Sequence, residues 1–148
     1  MTTAFVDTCA WAKRYVPEPE SERFESWFCA HTPLTVSELA RVEMASLLHK
    51  MARAERLGHG GVADVLRLVD RDVSEGFVVI QPWPAQIFDH ACGLVAGNSQ
   101  FGLRSLDALQ LACALVSGCR QFATADRKLA LAARANDLDV VWFGPREL

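Results

Sequence analysis

Four acidic residues stand where chemistry is expected: Asp7, Glu43, Asp107 and Asp126. Asp7 closes the strand-like run Thr3-Ala4-Phe5-Val6. Glu43 lies within Val42-Glu43-Met44-Ala45, Asp107 opens the apolar run Ala108 to Leu115, and Asp126 follows Gln121-Phe122-Ala123-Thr124. Carboxylates next to core-forming sequence are costly to bury unless a cation or a hydrogen-bond donor compensates them. No lysine or arginine is regularly placed to pair these four, so a divalent metal ion is the expected counter-charge. Oxygen-only ligation suits Mg²⁺ or Mn²⁺, which keep several waters and pair with phosphate groups. Such an ion supports phosphodiester hydrolysis by activated water without a nucleophilic side chain.

Singly, each acid has a plainer role. Asp7, Asp107 and Asp126 each suit a helix start, through capping or the helix dipole. Glu43 resists such an explanation. Its helical neighbours three and four residues away are Leu39, Ala40, Ser46 and Leu47, none of them basic.

The elements that must position these residues alternate short apolar strands with longer helical patterns, the mark of an α/β fold with a parallel sheet. Strands are expected at Thr3–Val6, Leu34–Val36, Phe77–Gln81, Gln121–Ala123 and Val140–Phe143. Helical stretches are expected at Cys9–Val16, Ser21–Ala30, Ser37–Arg56, Val62–Glu75, Ala85–Ala96, Ser105–Val116 and Arg127–Arg134, with a loop from Gly97 to Gly102. Thr35 and Glu38 match a capping box ahead of the long third helix. In a parallel sheet, ligands bind beyond the carboxyl ends of the strands, at the switch point. Asp7 and Asp126 fall at such ends, and the helices carrying Glu43 and Asp107 can reach the same mouth.

Composition narrows the alternatives. The chain has 148 residues, 51% of them hydrophobic, which suits one domain with a sizeable core spanning 1–148. Its longest apolar stretch, Ala108 to Val116, is far short of the roughly 20 residues needed to span a bilayer. No secretory signal opens it. Five cysteines, an odd number without a CxxC pair, read mostly as small core residues and fit a reducing cytoplasm. His31, His49, His59 and His90 show no HExxH or close ligand spacing. The net charge of −3 gives no basic footprint for nucleic acid, although a carboxylate cluster would itself account for that balance. Phosphate loops, dinucleotide fingerprints and a GxSxG elbow are all missing.

Four segments resemble the motifs of PIN-domain proteins, especially the VapC-type ribonuclease toxins of type II toxin–antitoxin systems. They are Phe5 to Val16, Ser37 to Glu43, Leu103 to Ala112 and Phe122 to Ala130, and they occur in the family's order. The resemblance implies a three-layer α/β/α fold with a parallel sheet of about five strands. It implies a Mg²⁺- or Mn²⁺-dependent endoribonuclease acting on single-stranded or looped RNA. The family's metal-binding and catalytic acids map onto Asp7, Glu43, Asp107 and Asp126. Its hydroxyl beside the last acid maps onto Thr124, and Thr8 is placed to serve the first. Where the family often has a second hydroxyl and a histidine, this chain has Cys9 and Gln110. The resemblance also implies a cognate antitoxin, whose tail covers the site, and a homodimer. Trp11, Trp27, Met44 and Met51 are candidates for such a groove, against ordinary core packing. Arg104, Arg127 and Lys128 flank two of the acids and are candidates for phosphate contact, with Arg104 alternatively orienting Asp107. The basic residues of the long helix, Arg41, Lys50, Arg53 and Arg56, suit a solvated face. Two other functions fit parts of the sequence. One is a module that binds RNA or the ribosome without cutting. The other is a phosphohydrolase with Asp7 as nucleophile, which the presence of Cys9 two residues on disfavours because that chemistry wants a second acid there.

Overall fold

The computed structural model of the chain describes residues 4–58 and 60–148. Thr3, the expected first residue of strand one, and His59 lie outside the described residues. Five strands form one sheet: β1 (Ala4–Val6), β2 (Leu34–Ser37), β3 (Val78–Gln81), β4 (Gln121–Thr124) and β5 (Asp139–Trp142). Their order is β3-β2-β1-β4-β5 and every pairing is parallel. The helices are α1 (Thr8–Trp11), α2 (Ser21–His31), α3 (Leu39–Arg53), α4 (Gly61–Ser74), α5 (Ile87–Gly97), α6 (Ser105–Ser117) and α7 (Arg127–Ala135). The first is continued by a 3₁₀ turn, Ala12–Arg14.

Side-chain alternation along the central strands assigns the layers. Ala4 and Val6 of β1 and Ala123 of β4 pack into one core with Phe24, Met44, Leu48 and Val69, on the side of α1 to α4. Phe5 and Phe122 point the other way, stacked with ring centroids 5.6 Å apart, among Ile87, Leu111, Leu129 and Ala132 of α5 to α7. A strand buried on both faces has no polar alternation to show, which is why β1 reads as a continuous apolar run. The chain therefore forms the expected three-layer α/β/α sandwich.

Several local expectations are corrected. The long helix opens at Leu39 rather than Ser37, because β2 runs through Ser37, which pairs with Gln81 of β3. Thr35 lies inside β2, so the capping box does not form. Instead Ser37 Oγ accepts from the Leu39 amide at 3.1 Å, and the Glu38 carboxylate accepts from the Trp83 amide at 2.9 Å. The same helix ends at Arg53 rather than Arg56, with Glu55 in the left-handed region (φ 56°). The segment from Gly97 to Gly102 contains a 3₁₀ turn, Ser99–Phe101. Only Cys113 and Cys119 are buried; Cys9 is half-buried, and Cys29 and Cys92 are exposed. Trp11, Met44 and Met51 belong to the core, leaving Trp27 partly buried. Among the described residues no helix is long and apolar enough to cross a membrane.

Candidate active site

The sheet changes direction of winding between β1 and β4, and the Asp7 amide donates to the Ala123 carbonyl there at 3.0 Å. At the carboxyl end of these two strands lies a cavity of about 220 Å³. Asp7, Glu43, Asp107 and Asp126 all line it, together with Thr8, Cys9 and Gln110, and no lysine or arginine among the described residues does. Each acid reaches the cavity from a different element: the end of β1, the second turn of α3, the first turn of α6 and the residue capping α7.

Asp7 is 3% exposed and caps α1, its Oδ1 accepting from the Ala10 amide at 2.9 Å. The Thr124 hydroxyl donates to Oδ2 at 2.5 Å, and the Cys9 thiol lies 3.1 and 3.0 Å from the two oxygens. Burial nevertheless pushes the Asp7 carboxyl up to about 6, against these donors and with the Asp126 charge adding to the effect. Asp126 caps α7 through Oδ1, which accepts from the Leu129 amide at 3.0 Å, and its own amide donates to Thr124 Oγ1 at 2.9 Å. Thr124 thus couples Asp126 to Asp7. The capping roles considered for Asp7 and Asp126 are real and coexist with the cavity, since a carboxylate has two oxygens.

Asp107 stands in the first turn of α6, where its charge suits the helix dipole. Burial, and then the Asp126 charge, raise its carboxyl above the ordinary value, with Arg104 acting the other way. Arg104 is exposed, and its Nε stands 3.7 Å from Asp107 Oδ2, an ion-pair distance too long for a hydrogen bond. That Oδ2 is buried without a hydrogen-bond partner. Glu43 accepts from Thr8 Oγ1 at 3.0 Å and from Gln110 Nε2 at 2.5 Å, both on Oε1. Thr8 therefore serves Glu43, not the first acid as expected. Cys9 and Gln110, seen in the sequence only as departures from the family pattern, are donors to two of the four acids. A polar Gln110 in an otherwise apolar helix was the signal available for it.

This donor set fits a hard divalent cation. Its oxygens are all carboxylate, one is a buried acceptor lacking a donor, and two of the carboxyls are raised, first by burial and then by the Asp126 charge. Among the described residues, however, no three His, Cys, Asp or Glu side chains stand close enough together to hold one ion. Such spacing suits a hydrated ion gripped through one or two carboxylates and waters, not an all-protein cage.

This is a parallel α/β sandwich with acids at its switch point, and the PIN-domain family model matches residues 4–135. The chain belongs to the PIN-domain family. It is 33% identical over 117 residues to Ribonuclease VapC46 of Mycobacterium tuberculosis, covering 77% of this chain and 75% of that protein. Among solved structures it is similar to VapC20 of Mycobacterium tuberculosis, a sarcin-ricin loop cleaving toxin. That match has a TM-score of 0.69 at 17% identity and covers 87% of this chain and 94% of that one. A toxin–antitoxin complex from Klebsiella pneumoniae matches with a TM-score of 0.55 at 16% identity, over 83% of this chain and 86% of that one. At those identities the structural likenesses bear on the fold alone.

Proposed function

We propose that this protein is a Mg²⁺- or Mn²⁺-dependent endoribonuclease, the toxin of a toxin–antitoxin pair, working in the cytoplasm. The observation that carries the reading is four carboxylates from four elements around one cavity with no basic side chain in its wall. The 33% identical ribonuclease and the PIN-domain match supply the substrate class. Asp7, Glu43, Asp107 and Asp126 would hold the cation, directly or through water. When bound, the cation supplies positive charge that polarises a phosphate and makes water a better nucleophile.

The chain's own residues do the rest. Thr124 and the Ala10 amide fix the Asp7 carboxylate at the end of β1, so its oxygens do not have to reorganise during the reaction. Asp107, without a hydrogen-bond donor on its buried Oδ2, is the acid best placed to accept a cation. Arg104, Arg127 and Lys128 are exposed around the acids on α6 and α7, suited to holding RNA phosphates. Both oxygens of Asp7 already accept hydrogen bonds, which favours an orienting role for it over that of a phosphoryl-accepting nucleophile. The expected partners are an RNA substrate, a cognate antitoxin and a second copy of the chain.

The test is RNA incubated with the purified protein and EDTA, then with Mg²⁺ or Mn²⁺ restored, with new ends mapped by sequencing. Metal-dependent ends that vanish in Asp7→Asn are expected. Tight RNA binding with no new ends under either metal would replace this reading by occlusion without cleavage.

A further inference from the structure

Gln110 is 2% exposed on a helix that is otherwise apolar almost all round, and its hydrogen bonds close a triangle across the two helical layers. Nε2 lies 2.5 Å from Glu43 Oε1 on α3 and 3.1 Å from Thr8 Oγ1 on α1, and Thr8 Oγ1 lies 3.0 Å from the same Glu43 oxygen. The direction of every bond follows from the groups. An ionised carboxylate only accepts, so both neighbours donate to Glu43. Thr8 gives its single proton to Glu43 and must accept from Gln110. Both protons of the Gln110 amide are therefore committed, and the amide cannot be turned over without setting oxygen against oxygen at 2.5 Å.

This arrangement leaves Gln110 Oε1 buried with no partner. An unsatisfied buried carbonyl is destabilising, a cost that leucine at the same place would avoid. The side chain thus works against stability on one atom while its NH₂ group holds Glu43. Both donors converge on Glu43 Oε1, and neither uses Oε2. We infer that Gln110 is a positioning residue that, with Thr8, clamps Glu43 by Oε1 so that Oε2 is presented to a divalent cation. This rests on the metal-dependent reading proposed above. It adds a device that spans the sheet: the clamp fixes α3 to α6, so that the acids of the two layers keep one spacing.

The test titrates Mn²⁺ alone, without RNA, into wild type, Gln110→Leu and Thr8→Val, followed by calorimetry or the Mn²⁺ spin signal. Thermal unfolding of each metal-free protein is recorded alongside. Removing a residue that orients a metal ligand typically weakens metal binding about 10–100-fold, and that loss is expected for Gln110→Leu. Its metal-free unfolding temperature should not fall, because the orphaned carbonyl goes with the substitution. In a Glu43→Gln background, Gln110→Leu should change Mn²⁺ affinity by less than about twofold, since its effect runs through Glu43. If wild type binds Mn²⁺ and Gln110→Leu binds it within about twofold as tightly, the clamp is refuted. Equal losses in both backgrounds refute it too, because Gln110 would then act independently of Glu43. Should Gln110→Leu not fold, Gln110→Met poses the same question. A wild type that binds neither Mn²⁺ nor Mg²⁺ overturns the proposed function itself, and the clamp falls with it.

Discussion

Two buried acid sites in this molecule solve the same electrostatic problem in opposite ways. Asp72 of α4 has no exposed surface, yet Arg14 Nε meets it at 2.6 Å and the Tyr15 hydroxyl donates to it at 2.8 Å. Arg14 is itself shared with Glu25 of α2 and lies over the Phe28 ring, 3.9 Å from its centroid. The chain carries its own cation there, and the cluster ties α4 to the segment after α1. Asp7 is nearly as deep, but its neighbours are hydroxyl, thiol and amide donors and a second carboxylate, Asp126. A charge neutralised internally holds the fold together. A set of charges with no lysine or arginine in the cavity wall is what the proposed cation would compensate.

Substitutions should separate the two sites by sign. The largest effect expected is on cleavage. Asp7→Asn should lower the rate on RNA on the order of 10³-fold, about 4 kcal/mol of barrier, in a gel or fluorescence assay at saturating Mg²⁺. The same variant should leave the metal-free fold at least as stable, since it removes an uncompensated buried charge. Asp72→Ala should do the reverse, destabilising by about 3–5 kcal/mol in denaturant titration because Arg14 loses its buried partner. RNA cleavage below the melting temperature should then survive. A stable Asp72→Ala protein, or an Asp7→Asn protein that unfolds, would dissolve the distinction.

The pH dependence sharpens it. Asp7 titrates near 3.8 when unfolded and near 6 when folded. Between those values the folded chain holds a proton that the unfolded chain has released, so its contribution to metal-free stability is present below about 4 and is lost as pH rises through about 6. The loss is roughly 3 kcal/mol, to be read as the difference between wild type and Asp7→Asn across that window by denaturant titration. The smallest effect expected is from the ion. At about 100 times its dissociation constant, Mn²⁺ should stabilise the wild type at pH 8 by about 2.7 kcal/mol, with EDTA reversing it. Asp7→Asn should respond less.

Much of the α/β/α sandwich is legible in the linear chain. The strand positions hold to within a residue or two at each described end, because short β-branched and aromatic runs between helical patterns have few other ways to be buried. The failures fall at boundaries. Thr35 and Glu38 spell a capping box, but pairing of β2 with β3 through Ser37 and Gln81 outweighs a local cap. The placing of Asp7 and Asp126 at strand ends is likewise readable, as is the oddity of Glu43 without a basic neighbour.

Residue types and their order determined that this chain would be a parallel α/β sandwich with acids beside core-forming sequence, because periodicity is a property of local sequence; the resemblance of four motifs supplied the PIN-domain family. Which donors serve which acid was decided only by the tertiary structure. Thr8 turned from Asp7 to Glu43, Cys9 and Thr124 came to bracket Asp7, and Gln110 reached Glu43 across 67 residues of chain. A hydrogen bond depends on two atoms meeting within about 3 Å at a suitable angle. The winding of β1 and β4 around the switch point sets those meetings, and nothing in the spacing along the chain encodes them.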